Sequence, residues 1–467
     1  MGNFGMASHE TSETSPAAAS LWKGTDYGWW LAADTFTSMA SSVVSFVIPI
    51  IVLAVSGSAA LASSVDAMEI AVLCVLGLAG GVIQDRCDRK KLMLVENAAE
   101  VVMYVLAAAV LVASDTLHDS ALLWLLVPIL ILDAVRGGLL GNTSNAMLRG
   151  IVPDEQLPKA MSLNDGRDAV VNMVGGPIGG VLMSISRAVP FLAGACCGLI
   201  SLLATSHITR YWHRAACPKP DGSDARADEA RDEPNTDDET QAESGEANKP
   251  RPTWRDAFGG LRWLLGDAFQ RRLTIAAALI TGTSNAFLTI TTLEVSEGGR
   301  QTVSAGFVSA AVSCGMLVGA VIASTTVEYI RGGVLVVLSF VLLAVGFVGA
   351  ALCPSVIGRA VFLVLSVLFL PAGNAVLGGL GNVLVAKDKL GRVGAGNMLT
   401  QYGSYGLCVL LAGIGMQCIG YATTCWILAA AIAVAAAYAL SMRALITIPT
   451  PGHWAEHVQR WNISRYE

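Results

Sequence analysis

Long apolar stretches recur along this chain, and they restrict its fold more than any other feature of the sequence. Each stretch holds about 20 residues, which as a helix is enough to cross a hydrocarbon core about 30 Å thick. A segment in lipid must satisfy its own backbone hydrogen bonds, so each stretch is expected to be helical. We predict twelve transmembrane helices, called spans 1 to 12, at about residues 29–53, 66–84, 92–113, 121–144, 162–185, 189–209, 273–293, 303–325, 333–353, 356–384, 394–417 and 420–443.

The composition agrees with a membrane protein and argues against several other classes. Hydrophobic residues make up 54% of the chain and charged residues 14%, whereas a soluble protein carries roughly 25% charged residues. The net charge of −6 comes from an acidic stretch at 218–250, so there is no basic domain suited to nucleic acid. The sequence contains no phosphate-binding loop, nucleophile elbow or Cys/His ligand spacing. We therefore expect no enzyme activity, no cofactor and no metal site.

Lys and Arg are concentrated in alternate connections, which determines the expected orientation. Connections on the side of both termini hold most of these residues, whereas the other side has only Arg187, Arg300 and Arg359. The positive-inside rule therefore places both termini in the cytoplasm. The chain begins without a basic segment followed by an apolar core, so we expect span 1 to be retained in a multi-pass protein of the cell membrane.

A polar stretch between spans 6 and 7 divides the chain into two halves. Residues 218–250 are too polar to bury much surface, and we expect them to be disordered. Residues 253–269 carry apolar side chains at helical spacing, which indicates either an amphipathic helix on the membrane surface or the start of span 7. The expected organisation is an N-terminal segment at 1–28, a bundle at 29–209, a linker at 210–272, a second bundle at 273–443 and a cytoplasmic tail at 444–467. The tail mixes aromatic and basic residues and is expected either to lie on the membrane or to be disordered.

The connection between spans 2 and 3 carries the most specific motif in the chain. It fits the pattern Gly-x-Leu-x-Asp-Arg-x-Gly-Arg-Arg, except that Ile83 replaces Leu and Asp88 replaces the second Gly. This run resembles the loop between helices 2 and 3 of the major facilitator superfamily; the alternative is a generic basic hairpin. The resemblance implies an all-α membrane protein with twelve transmembrane helices in two pseudo-symmetric six-helix bundles, in which this loop is part of the gate. The gating-loop residues are Gly81, Asp85, Arg86, Asp88, Arg89 and Lys90.

Three ionisable residues lie within predicted spans, where their cost suggests a function. Asp34 belongs to span 1, and Asp133 and Arg136 lie three residues apart on one face of span 4. In the family that the chain resembles, spans 1, 4, 7 and 10 line a central cavity, which implies that these residues lie beside the transport path. We expect Asp133 to exchange a proton as its contact with Arg136 changes. The alternative is a static pair that holds span 4 in place.

Span 5 contains a charged segment followed by a glycine-rich one. Asp165, Arg167 and Asp168 lie about one turn from the cytoplasmic face and are expected to form a closing latch; the alternative is contact with substrate. The run that follows resembles the family's antiporter signature Gly-x-x-x-Gly-Pro-x-x-Gly-Gly, with Asn172 in place of the leading Gly. Its matching residues are Gly176, Pro177 and Gly180. The resemblance favours an exporter, and the alternative is a simple helix-packing notch.

Other polar residues in the spans receive less specific interpretations. Glu96 and Glu100 lie in span 3, which is peripheral in the family and is therefore expected to face lipid. Glu96 is shallow enough to reach the basic loop, whereas the deeper Glu100 receives no specific interpretation. Asp66 and Glu69 are expected near the outer end of span 2, where solvent can reach them. Polar side chains of the second half are candidates for substrate contact, namely Asn285, Asn374, Asn397, Gln401 and Tyr402.

The sequence supports a transporter driven by an ion gradient. The loop at 152–160 is similar to a segment of bacterial macrolide and enterobactin exporters. Our leading hypothesis is a monomeric, proton-coupled exporter of small, partly hydrophobic molecules, whose partners are its substrate, protons and the lipid bilayer. One alternative is an importer or facilitator of a polar nutrient with the same fold. Another is a membrane receptor or assembly factor that transports nothing.

Overall fold

The computed structural model describes residues 25–118, 120–141, 143–152, 156–209, 261–296, 301–385 and 390–463, and this part is almost entirely helical. Twelve helices in it are long and apolar enough to cross a membrane, which confirms the predicted fold. Spans 1 to 6 are Tyr27–Ser56, Ala59–Arg86, Arg89–Leu117, Ala121–Leu148, Leu157–Ile185 and Val189–Ser206. Spans 7 to 12 are Ala268–Val295, Thr302–Tyr329, Gly332–Leu352, Val356–Gly381, Leu390–Ile419 and Tyr421–Leu440.

Spans 4 and 10, the fourth span of each half, are interrupted. Span 4 is formed by the helices Leu126–Leu140 and Thr143–Ile151, and span 10 by Val356–Val367 and Leu370–Leu384. The second helix of each continues a short way past the apolar end of its span, at Leu148 and Gly381. Pro371 lies in the first turn of the second helix of span 10, where its missing N–H is tolerated because that group would have no partner within the helix. Breaks in corresponding spans agree with an internal pseudo-symmetry of the two halves.

Side-chain caps and glycines determine where several spans begin and end. The side chains of Ser58, Asp88 and Asp267 each accept a hydrogen bond from a backbone N–H two or three residues further on, at 3.2, 2.9 and 2.9 Å. These bonds satisfy N–H groups that have no partner within the helix. Gly57 and Gly420 have φ values of 65° and 84° at tight turns between spans, a conformation that glycine adopts without strain.

Spans 5 and 8 join the two halves through glycines. The Thr302 hydroxyl donates a hydrogen bond to the Gly180 carbonyl at 3.1 Å. A Cβ atom on Gly306 would lie 2.7 Å from the carbonyl oxygen of Gly176, so the two backbones are in direct contact. We call these four residues the glycine seam. Because they lie toward the side opposite to the termini, the halves are in contact on that side.

Spans 2 and 11 form a second junction between the halves, also on the side opposite to the termini. The Ser58 hydroxyl donates to the Gln417 side-chain oxygen at 2.7 Å, and the Ala60 N–H donates to the same oxygen at 3.2 Å. Gly413 leaves space for Ser63 of span 2, whose side chain occupies the place of a Cβ atom. The one amide oxygen of Gln417 therefore receives two donors from the opposite half.

The segment after span 12 folds back onto the C-terminal bundle, in contrast to the predicted surface or disordered tail. We call residues 441–463 the C-terminal strap. The Gly333 N–H donates to Ile448 O at 2.8 Å, and the Trp454 indole N–H donates to Pro449 O at 3.1 Å. His457 donates from Nε2 to Ala444 O at 2.9 Å and is buried, with 6% of its surface exposed.

The region before span 7 is described only in part. Residues 261–266 are helical, and Asp267 separates them from span 7. The predicted disordered segment at 218–250 and most of the predicted amphipathic helix at 253–269 lie outside the described residues.

Candidate functional site

Arg136 lies at the centre of a buried group of charges. Its guanidinium donates from Nε to Asp133 at 2.8 Å, and its two terminal nitrogens lie 3.7 Å from Glu96 and 3.8 Å from Glu100. The Arg136 side chain is 9% exposed, and the Glu100 side chain is fully buried. We call these four residues the Arg136 cluster.

The expectation that span 3 faces lipid is wrong for the side that carries Glu96 and Glu100. Span 3 packs against spans 4 and 6, and its buried face includes Glu96, Asn97, Glu100 and Tyr104. The i, i+4 spacing of the two glutamates puts them on one side of the helix. That side points into the bundle, so both carboxylates reach Arg136 across the interface with span 4.

The Glu100 carboxylate is the deepest acid of the cluster. Neither of its oxygens has an aligned hydrogen-bond donor in the part of the chain that the structure describes. The hydroxyls of Ser41 and Tyr104 are its polar neighbours, and Arg136 is its charged neighbour. A buried carboxylate with so few donors is costly to keep ionised.

Asp66 and Glu69 bring span 2 to the same region. The two side chains are half-buried rather than freely exposed at the outer end. Glu69 interacts electrostatically with Asp133 and Arg136. Asp66 lies close to the hydroxyl of Thr289 in span 7. Span 2 therefore connects the Arg136 cluster with the second half of the protein.

Asp34 belongs to a second ion-pair group, with Arg167 of span 5. The Arg167 guanidinium is in close contact with the Asp34 carboxylate, lies 2.5 Å from Asp168 and donates to the Thr35 hydroxyl at 3.3 Å. We call Asp34, Thr35, Arg167 and Asp168 the Arg167 cluster. The sequence predicted a latch that included Arg167 and Asp168 but assigned Asp34 to the cavity. The side chain of Asp165 lies outside the described part.

A polar network lies between the two clusters. Asp34 is close enough to Glu96 for the two carboxylates to interact electrostatically. Asn97, next to Glu96 in the chain, accepts a hydrogen bond from the Thr37 hydroxyl at 3.2 Å and donates to the Thr205 hydroxyl at 3.1 Å. Spans 1, 3 and 6 thus share a polar environment around Asp34 and Glu96, one acid from each cluster.

The predicted gating loop contacts its own half through backbone carbonyls. Asp88 caps span 3, as described above. The Arg89 guanidinium donates to Ala146 O at 2.8 Å, and the Lys90 ammonium donates to Ile208 O at 2.6 Å and Ser206 O at 3.0 Å. Lys90 therefore lies where a cation is favoured, at the carboxyl end of span 6. The side chains of Asp85 and Arg86, and the surroundings of Gly81, lie outside the described part.

The second half contributes polar groups that are partly used within the protein. Asn285 donates from its amide to Thr281 O at 2.8 Å, and Gln401 accepts from the Thr281 hydroxyl at 3.4 Å. Thr281 thus brings these two candidates together between spans 7 and 11. Asn397 is half-buried, whereas Asn374 and Tyr402 are exposed.

Sequence reasoning did not assign Glu96, Glu100, Asp66 and Glu69 to the site. The sequence does contain one signal for a contact with Arg136. Glu96 and Glu100 lie at a depth in span 3 similar to that of Arg136 in the antiparallel span 4. Among the described residues, no group of three or more His, Cys, Asp or Glu side chains is arranged to hold a metal ion. The site is therefore organised by arginine–carboxylate pairs.

Solved structures share this architecture at low sequence identity. A D-xylose–proton symporter superposes with a TM-score of 0.63 at 12% identity, covering 91% of this chain and 98% of its own. A mutant of the nucleoside transporter NupG gives 0.59 at 11% identity, covering 90% and 100%. A bacterial homologue of the human lysosomal transporter Spinster, inward-facing and unoccupied, gives 0.59 at 13% identity, covering 95% and 98%. These likenesses establish the fold.

The family assignment comes from the sequence itself. No curated protein sequence matches the chain. A profile described as Major Facilitator Superfamily matches residues 31–404, from span 1 into span 11, which is most of the chain. Members of this family are membrane-embedded and bind small-molecule substrates, which indicates a transporter rather than an enzyme. With its twelve spans in two halves and its buried ionic groups, this multi-pass membrane protein belongs to the Major Facilitator Superfamily.

Proposed function

We propose that this protein is a monomeric, proton-coupled transporter that exports small, partly hydrophobic molecules, such as drugs or siderophore-like compounds, by alternating access. It acts in the cell membrane with both termini in the cytoplasm. The observation that supports this proposal best is the Arg136 cluster.

The balance of charge around Arg136 supports proton binding. Glu96, Glu100, Asp133 and the nearby Glu69 are four acids beside one guanidinium, which gives a net charge of −3 if all are ionised. Excess charge in a membrane interior is costly, and protonation of a carboxylate removes that cost. When Arg136 moves relative to its partners, the carboxylate that it leaves takes up a proton. When Arg136 returns, the proton is released.

The Arg167 cluster supplies the link between protonation and movement. Arg167 connects span 5 with Asp34 in span 1, and Asp34 lies near Glu96 of the Arg136 cluster. A change of charge at Glu96 therefore alters the field at Asp34 and the strength of its contact with Arg167. We assign to Arg167 and Asp168 the role of a latch on the side of the termini.

The proposed direction of transport is supported by the segment at the glycine seam. Gly176, Pro177 and Gly180 resemble the family's antiporter signature, and the seam lies where the halves are in direct contact. Glycines allow two helices to approach closely, and a proline bends the helix that carries it. These properties suit a contact that closes the outer side while substrate enters from the cytoplasm.

The second half favours an adaptable site for a moderately hydrophobic ligand. Asn285 and Gln401 provide amide groups, and Tyr402 provides an exposed ring, without a fixed charge in this set. The alternative function is import of a polar nutrient, since the fold is shared with a D-xylose–proton symporter and a nucleoside transporter. A receptor or assembly factor with this fold would show no flux at all.

Reconstitution in liposomes with an imposed pH gradient tests the proposal. With the unmodified protein, we expect the liposomes to lose hydrophobic dyes at a rate that depends on the pH gradient. Asp133→Asn and Glu100→Gln should abolish that dependence, whereas Glu328→Gln, an exposed acid at the end of span 8, should retain it. Uptake of a labelled sugar instead of dye loss would favour the importer. Unchanged pH dependence in both variants would reject the role of the cluster.

A further inference from the structure

A cavity of about 280 Å³ lies between the start of span 7 and the C-terminal strap. Its walls include Asp267, which caps span 7, and Arg272 of span 7. The strap contributes Arg443, just after span 12, and Trp461 and Asn462 near its end. The cavity therefore lies at the ends of spans 7 and 12, on the side of the termini. It is far along the chain from the Arg136 and Arg167 clusters.

The two arginines of this cavity lack partners within the described chain. Neither the Arg272 nor the Arg443 guanidinium makes an ion pair or hydrogen bond with a described residue, and both side chains are exposed. This differs from Arg136 and Arg167, whose guanidinium groups each form ion pairs with carboxylates. Two arginines that line one cavity from different segments present several N–H donors to an anion.

Among the described residues that line the cavity, Asp267 is the one acid, and it does not neutralise these arginines. The Asp267 carboxylate accepts hydrogen bonds from the N–H groups of Phe269 and Gln270 at 2.9 and 3.0 Å. Its charge is thus directed toward the amino end of span 7, where negative charge is favoured. The cavity lining keeps an excess of positive charge, two arginines against one capped aspartate.

The position of the cavity favours a lipid over a soluble anion. Trp461 is 38% exposed at the cavity, and tryptophan is enriched at the level of lipid headgroups. Arginine clusters on the cytoplasmic side attract anionic headgroups, and the phosphate group matches the planar guanidinium. Asn462 has a φ of 46°, which turns the strap at the cavity.

We propose that this cavity binds the phosphate of an anionic phospholipid headgroup, with Arg272 and Arg443 as its ligands. The bound headgroup links the start of span 7 to the strap that follows span 12. An anionic lipid thereby holds the strap against the bundle.

Native mass spectrometry of the full chain from nanodiscs tests this site. The discs contain phosphatidylcholine with or without phosphatidylglycerol, and retained lipid is counted for each. We expect retention of phosphatidylglycerol, weakened about fivefold by Arg272→Gln or Arg443→Gln and about 25-fold by both, since each arginine near the surface contributes about 1 kcal/mol. Arg331→Gln, an exposed arginine at the start of span 9, is the matched control and should leave retention unchanged.

Two further measurements keep the test decisive. Amide exchange of residues 441–463 in the unmodified protein should be slower with phosphatidylglycerol than with phosphatidylcholine alone, and equal exchange would overturn the link to the strap. Competition by millimolar glycerol phosphate should be weak, and full displacement would assign the cavity to a soluble phosphate instead. Equal lipid retention in the unmodified protein and the double variant would overturn the site.

Discussion

Removal of the Arg136 guanidinium should destabilise the N-terminal bundle strongly. Arg136→Gln keeps a polar side chain of related shape but leaves Asp133, Glu96 and Glu100 without their shared cation. These groups are at most 12% exposed, so water cannot replace the lost partner. The adjacent acid Glu69 adds to the uncompensated charge.

The size of the effect follows from the geometry. Two unit charges about 4 Å apart attract by about 4 kcal/mol at the effective dielectric of a protein. The variant loses three such contacts, but its acids bind protons and avoid most of the repulsion. The net loss should therefore be about 3–5 kcal/mol, the range for breaking a buried ion pair. For a bundle of this size that corresponds to a fall in apparent melting temperature on the order of 10 °C.

Thermal denaturation of the purified protein in detergent measures this effect. Adding Asp133→Asn to Arg136→Gln should recover about 2 kcal/mol, because the double variant buries one acid fewer. The control variant Arg331→Gln should have the same apparent melting temperature as the unmodified protein. If Arg136→Gln alone melts within about 2 °C of the unmodified protein, the acids are not balanced by Arg136 and the charge argument is refuted.

Two more predictions concern the glycine seam and the strap. Gly180→Leu should abolish transport, because a Cβ atom would lie 2.5 Å from Thr302 O, whereas Gly403→Ala, in open space on span 11, should retain it in the same liposome assay. Burial lowers the pKa of His457, whose Nε2 donates to Ala444 O. The released strap therefore binds more protons at low pH than the docked strap does, and docking should be fully stable above about pH 6.5 and weaken below it. Amide exchange in the strap, corrected for the intrinsic exchange rate at each pH, should be faster at pH 5.5 than at pH 7.5. Equal corrected rates would contradict this account.

The spans were predictable because their signal is local. A run of about 20 apolar residues specifies a membrane-crossing helix without reference to any other part of the chain. All twelve were found within the described residues close to their predicted positions. The caps at Ser58 and Asp88 explain why spans 2 and 3 begin before their apolar runs, since a capped turn extends the helix into the connection.

The partners of the buried charges were only partly predictable. Asp133 and Arg136 are three residues apart, so helical geometry alone brings them together. Glu96 and Glu100 depend on the rotation of span 3 about its axis, which is set by packing with spans 4 and 6. Asp34 and Arg167 lie on different spans, and their sequence positions carry no signal that they meet.

The folded end of the chain has a practical consequence for handling the protein. If the chain were cut after Leu440 and fused there to a purification tag or fluorescent protein, the strap would be lost. The indole of Trp454, which occupies the space beside Gly379, would be lost with it. It would also expose the amide hydrogen of Gly333, which now bonds to Ile448. Fusion partners should therefore be attached beyond residue 463. If a shortened version has a lowered melting temperature, loss of the strap's contacts is the first cause to test, before any defect within the bundle itself.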